Sequence, residues 1–278
     1  MFRRSSTRRA VQAGRFYDAD PKRLEAGIHD LMDQASPGTV PGKVLAPHAG
    51  YVYSGAVAEA AYRTLEGRVF DGVLIGAPSH YRDFTGSALP SSEAFETPLG
   101  TLEVDREGVE ELHGHPLFIV DDRMHEPEHS IEVQLPFLQV SLEGPFKILP
   151  MLLGRADPQQ MNQLTEALDG FLGHRRERGE SWLIVASSDT YHGHDVGACQ
   201  ANDRRIIKLI EEMDPETFSE QARGGEVMAC GWRPLTLAMG LARRAGARSA
   251  QCLDRRDSSQ TGGTVSDYVV GYVAAAFS

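Results

Sequence analysis

Three histidines follow three apolar runs, and each stands in a polar turn that could present an imidazole to a ligand. Lys43–Ala46 leads into Pro47-His48-Ala49-Gly50-Tyr51. Residues 72–77 (GVLIGA) lead into Pro78-Ser79-His80, and residues 182–186 (WLIVA) into Ser187-Ser188-Asp189-Thr190-Tyr191-His192. Neutral imidazole ligates iron, copper and zinc, and near neutral pH it serves as a general acid or base. One histidine alone is more often structural than ligating. Three at equivalent positions weigh differently, because ligands of open α/β sheets gather beyond the carboxyl ends of the strands. Asp189 stands three residues before His192, where a carboxylate can raise the basicity of the imidazole and fix its tautomer. The competing role for Ser187, Ser188 or Asp189 is to cap a following helix.

The densest polar cluster is His125-Glu126-Pro127-Glu128-His129-Ser130-Ile131-Glu132. His125, His129 and Glu132 have the donor types of a metal set, but Pro127 interrupts any helix through them, so a shared helical face is not implied. The absence of His-Glu-x-x-His spacing argues against a zincin. A helix is expected from Ser130 onward, with Glu132 in its first turn favoured by the dipole. Cys230, in Met228-Ala229-Cys230-Gly231-Trp232-Arg233-Pro234, precedes another expected helix. A thiol at a helix N-terminus has a lowered pKa and can be a nucleophile or a metal ligand; the alternative is a buried, inert cysteine. There is no Cys-x-x-Cys pair to suggest structural zinc, and no Walker A loop, dinucleotide fingerprint or Gly-x-Ser-x-Gly elbow.

The elements that must position these residues alternate along the chain. Helices are expected at 21–34, 54–65, 158–172, 201–213 and 234–245. Strands are expected at 43–46, 72–77, 146–153, 182–186 and 266–277, and a Pro/Gly-rich loop at 35–42. The strand at 72–77 is apolar throughout rather than alternating, which implies a sheet covered on both faces. Alternation of strand and helix predicts a three-layer α/β/α sandwich. No repeat or composition break divides it, so residues 1–278 are expected to form one domain.

Hydrophobic residues make up 41% of the chain and charged residues 24%, enough to build a sizeable core. A formal net charge of -11 argues against nucleic acid and against anionic membranes as partners. Arg3, Arg4, Arg8, Arg9 and Arg15 crowd the start; a solvated, frayed end is the simpler expectation, and a phosphate-binding arm the sharper one. No apolar stretch follows them as in a secretory signal, and none is long enough to span a bilayer. Three cysteines are no disulfide framework. A cytoplasmic location is expected.

Several blocks in order resemble the Memo family (mediator of cell motility, called AmmeMemoRadiSam system protein B in bacteria and archaea). They are Arg9-Ala10-Val11-Gln12-Ala13-Gly14-Arg15-Phe16-Tyr17, Pro47 through Gly55, Ala77-Pro78-Ser79-His80, Glu128 through Phe137, Ser187-Ser188-Asp189 through His192, and Cys230-Gly231. The resemblance implies a fold similar to class III (LigB-type) extradiol dioxygenases, which hold non-haem Fe(II) with two histidines and a carboxylate. In Memo proteins a cysteine replaces the carboxylate. Carried over, His48, His80 and Cys230 become metal ligands, and His192, with Asp189 beside it, the acid/base pair. Fe(II) is the expected metal, with Cu or Zn as alternatives because thiolate is a softer ligand. The resemblance further implies a dioxygenase-like oxidoreductase or a peptide- or metal-binding protein using the same cleft. Its implied partners are a small-molecule or peptide ligand and the AMMECR1-like and radical SAM proteins of the family's gene neighbourhood. Ala77, Tyr191 and Gly193-His194-Asp195 depart from the usual family wording, which bears on substrate contacts more than on the ligand set.

Overall fold

Four apolar runs form the centre of a nine-stranded sheet. Lys43–Ala46, Trp182–Ser187, Gly72–Pro78 and Lys147–Leu153 lie side by side in that order, all parallel. The structure, a computed structural model, describes residues 7–32, 42–261 and 267–278. Gly72–Pro78 is buried at all seven positions, as a strand covered on both faces must be. Val269–Phe277 runs antiparallel beside Lys43–Ala46 and also pairs with Ala250–Asp257 and, at its start, with His192–Gly193. On the other side Ser87–Leu89 runs antiparallel to Lys147–Leu153 and parallel to Phe118–Val120. A second, three-stranded sheet joins Thr7–Arg8, Ala94–Thr97 and Gly100–Glu103.

Parallel neighbours need crossovers, and helices supply them. Tyr51–Tyr62 rests on Lys43–Ala46 and Val269–Phe277, and Trp232–Arg244 on Gly72–Pro78 and Trp182–Ser187. Pro158–Glu177 packs on Trp232–Arg244. It opens with a capping box between Asp157 and Gln160 and with proline at its first position, which satisfies its first amides. The result is the expected α/β sandwich, a large mixed sheet flanked by helices with one apolar cluster running from Tyr17 to Phe277. No helix among the described residues is long and apolar enough to cross a membrane.

Two glycines allow close approaches that the site requires. A Cβ on Gly231 would lie 2.3 Å from the Ser187 carbonyl oxygen, so only glycine lets Cys230 reach that strand end. A Cβ on Gly271 would lie 2.4 Å from Thr190 Oγ1, where the two backbones exchange hydrogen bonds.

The structure departs from expectation in several places. The helix expected at 54–65 begins earlier, at Tyr51, and ends in a 3-10 turn at Arg63–Leu65. The helix expected at 158–172 continues to Glu177, and that at 201–213 begins at Val196 because Asp195 caps it. From Ser130 onward the chain forms a 3-10 turn, Glu132–Gln134, before Leu135–Ser141 begins with Pro136 at its start. The 35–42 loop, apart from Gly42, and Arg3 and Arg4 lie outside the described residues. Arg8 is not part of a frayed end. It is 5% exposed and forms an ion pair with the fully buried Glu132.

Candidate metal centre

The carboxyl ends of the parallel strands converge. His48 follows Lys43–Ala46, His80 follows Gly72–Pro78, and the Ser188–His192 turn follows Trp182–Ser187. Cys230 reaches the same point from the segment ahead of Trp232–Arg244. One donor atom from each of His48, His80 and Cys230 lies within 4.8 Å of the others. Donors about 2.1 Å (nitrogen) and 2.3 Å (sulfur) from a four-coordinate ion stand roughly 3.5 Å apart, so small side-chain adjustments bring this set onto one ion.

The surrounding hydrogen bonds favour ligation. Cys230 Sγ sits 3.1 Å from His48 Nε2, while His48 Nδ1 faces Ser187 Oγ at 2.9 Å. His80 Nδ1 is held by Glu128 Oε1 at 2.9 Å, which leaves Nε2 for a ligand. A carboxylate behind a histidine is the arrangement that orients metal-ligating imidazoles. Glu128 also accepts from the amides of His80, His129 and Ser130. Burial opposes its charge, yet the His80 hydrogen bonds prevail and hold its carboxyl down to about 2. Burial pushes the His48 imidazole well below its ordinary range, aided by His80, so it is neutral and ready to donate a lone pair. The donor set therefore fits a soft to borderline metal.

Cys230 differs from expectation. Its thiol is pushed up, first by burial and then by the Asp189 carboxylate. The helix begins only at Trp232, and Cys230 instead clasps Asp189, taking that residue's amide on sulfur at 3.2 Å and giving its own amide to the Asp189 carbonyl. A metal cation, rather than the helix, is what would stabilise the thiolate.

Asp189 and His192 also reach the site. Asp189 is 4% exposed, and burial raises its carboxyl. Its side chain accepts from the His48 amide at 2.8 Å, so it fixes the His48 turn rather than capping a helix. Its interaction with His192 is electrostatic: burial lowers the His192 imidazole and the Asp189 charge opposes the change. Among the described residues His192 Nε2 is buried without a hydrogen-bond partner. An orphaned ring nitrogen in a cleft is a place for a ligand or a transferred proton.

The cluster at 125–132 is divided by the fold. His125, His129 and Glu132 do not form a set. His125 turns Nε2 to the Ala88 carbonyl at 3.1 Å. Glu132 takes Arg8, the Val11 and Gln12 amides and the Tyr17 hydroxyl. His129 instead joins the site, stacked on His80 with centroids 4.6 Å apart and packed on Phe16 at 4.7 Å. Burial, reinforced by His48, holds its imidazole down to about 3. Sequence reading missed the pairing of Glu128 with His80 and the place of His129 beside it. The adjacent Glu128-His129 pair was the available signal, but Pro127 hides which way each side chain turns.

A cleft of about 530 Å³ opens beside these groups, reaching Asp189, His129 and His192 and lined also by Arg15, Phe16, Tyr53 and Tyr268, while His48, His80 and Cys230 lie next to it rather than in its lining. A larger hollow of about 620 Å³ lies between Pro158–Glu177, Pro215–Gly224 and Trp232–Arg244. It has no histidine or cysteine in its lining, whereas the smaller cleft adjoins the candidate donors.

The sequence matches the family model described as Memo-like protein over residues 8–276. It is similar to a MEMO1 family protein of Saccharolobus islandicus, 34% identical over 285 residues, covering 95% of this chain and 97% of that protein. It is also similar to a MEMO1 family protein of Methanosarcina barkeri, 33% identical over 272 residues, covering 96% and 98%. A MEMO1 family protein of Saccharolobus solfataricus is 34% identical, covering 95% and 97%.

Proposed function

The chain belongs to the Memo family, and on that premise we propose that the strand-end cleft is a metal centre, with Fe(II) held by His48, His80 and Cys230, that serves an oxidoreductase of the extradiol dioxygenase type. The convergence of those three donors within 4.8 Å carries the proposal. Bound Fe(II) would supply redox chemistry and open coordination positions for a small ligand; Cu or Zn suits the same donors. His192 Nε2, buried and without a partner among the described residues, is the atom that holds or moves a proton. Asp189 keeps the His48 turn in place through its amide. Phe16, Tyr53 and Tyr268 receive a planar ring and exclude water.

A second reading takes the same cleft as a binding site for a peptide or small molecule without turnover. The aromatic lining with Arg15 at its edge favours it, because rings and one guanidinium suit an anionic aromatic group. Oxygen uptake by the Fe(II)-loaded protein against a panel of catechols separates the two. Uptake that depends on substrate and is lost in His192→Ala supports the enzyme. Saturable ligand binding that survives in Cys230→Ala, with no uptake across the panel, favours the binding protein.

A further inference from the structure

Behind His48 lies a closed set of buried hydrogen bonds that no role in ligation requires on its face. Tyr62 donates its hydroxyl to Gln134 Oε1 at 2.7 Å. Gln134 Nε2 donates to the Pro47 carbonyl at 2.9 Å and to Ser187 Oγ at 2.8 Å. Ser187 Oγ donates to the Ser130 carbonyl at 2.7 Å. His48 Nδ1 faces the same Ser187 oxygen at 2.9 Å. Tyr62, Gln134, Ser130 and Ser187 are each 0% exposed, so water is kept out of the set.

The protons can be counted. A carbonyl oxygen only accepts, so Pro47 fixes the Gln134 amide with its nitrogen toward that oxygen, and both amide hydrogens are then used. Ser187 has one hydrogen, and the Ser130 carbonyl takes it. The hydroxyl oxygen is left with two lone pairs, one filled by Gln134. The other can only accept, so His48 Nδ1 must be the donor. The proton sits on Nδ1, and the Nε2 lone pair points at Cys230 Sγ.

From this count we propose that Gln134 and Ser187 are positioning residues that lock His48 in its Nδ1–H tautomer and so present Nε2 as a ready metal ligand. The inference rests on the metal reading above for its consequence but not for its direct signal. Partners that accept the ring proton of a ligating imidazole are worth about 10–100-fold in metal affinity when removed. Glu128 does the same service for His80, accepting the ring proton with a carboxylate where Ser187 accepts it with a neutral hydroxyl oxygen. The two ligands are therefore fixed by different means, one by a neutral chain that ends on carbonyls and one by a carboxylate.

The experiment is long-range proton–nitrogen NMR on nitrogen-15-labelled, metal-free, reduced protein, with Zn(II) affinity measured in parallel. Wild-type protein should show His48 protonated on Nδ1 and bare at Nε2. Ser187→Ala should shift proton density to Nε2 and weaken Zn(II) by about 10–100-fold, and Gln134→Leu should act in the same direction with a native circular dichroism spectrum. Wild-type His48 carrying its proton on Nε2 would overturn the proposal, without need of any variant. So would a Ser187→Ala protein with unchanged His48 signals. An Nδ1–H signal in wild-type protein that binds no Zn(II), Fe(II) or Cu(I) would support the tautomer lock and sink the metal reading, so the two failures are distinct.

Discussion

Two polar regions meet at the 125–132 segment, and they differ in whether their hydrogen bonds close. On one side Arg8 and Glu132 form a buried, saturated pair. The guanidinium reaches Glu132 and the carbonyls of His125 and Glu128, and the carboxylate takes four donors. On the other side the cleft leaves atoms open. His48 Nε2 meets Cys230 Sγ at 3.1 Å, the sulfur also taking the Asp189 amide at 3.2 Å, and His192 Nε2 has no hydrogen-bond partner among the described residues. Both regions are built from histidine, carboxylate and neighbouring apolar residues, and in sequence they are interleaved. The Arg8–Glu132 pair is closed where the cleft is open, but an orphaned atom alone does not mark a site. His125 Nδ1 and Gln12 Oε1, beside that pair, are also buried without a partner among the described residues. What sets the cleft side apart is three ligand-type donors within 4.8 Å of one another.

The comparison is sharpest where one member is removed. Arg8→Ala leaves Glu132 buried and uncompensated, and should cost about 3–5 kcal/mol in urea unfolding. The folded fraction should keep its metal affinity. Cys230→Ala should do the opposite, with unfolding of the metal-free protein changed by less than about 1 kcal/mol and metal affinity reduced by more than about 100-fold, beyond the loss of a supporting hydrogen bond. Equal stability losses in the two variants would erase the distinction.

Smaller effects refine it. Glu128→Gln keeps the shape but removes the charge behind His80, and should weaken metal binding by about 10–100-fold in competition titrations. The wild-type carboxyl is held down to about 2, so its contribution to stability is present above the ordinary range near 4.5 and lost as pH falls toward 2. The smallest effect belongs to His125. Burial, aided by Arg8, lowers its imidazole to about 4. Its folded pKa lies below its unfolded one, so the unfolded chain takes up the proton first and stability falls as pH drops below 6.5. His125's own share of the loss between pH 6.5 and 5.5 should be about 1 kcal/mol, read as the amount by which His125→Gln shrinks the drop in urea midpoint. The remainder comes from His48, His129 and His192, whose imidazoles burial also lowers.

The sequence made some of this legible and concealed the rest for physical reasons. Lys43–Ala46 emerged with its observed bounds, and Gly72–Pro78 and Trp182–Ser187 within a residue, because a strand covered on both faces is written as an unbroken apolar run. The strand-end rule then led to His48, His80 and His192. Ala250–Asp257 was missed, since its five charged or amide side chains carry no strand pattern and its pairing with Val269–Phe277 decides the conformation. Ser87–Leu89 and Phe118–Val120 are three residues each, too short for any period to show. Cys230 stood out only as a thiol ahead of a helix, and its assignment to the ligand set came from the family resemblance. Its place depends on Gly231 passing the Ser187 carbonyl, a contact made across the whole fold.

The most direct test of the open cleft is the absorption spectrum of the reduced protein titrated with Co(II). One equivalent should produce a thiolate-to-cobalt charge-transfer band and four-coordinate ligand-field bands, and the charge-transfer band should vanish in Cys230→Ala while Arg8→Ala, at concentrations of denaturant zero, retains it. A wild-type titration without that band, or one that Cys230→Ala leaves unchanged, would contradict the assignment of His48, His80 and Cys230 as a metal centre.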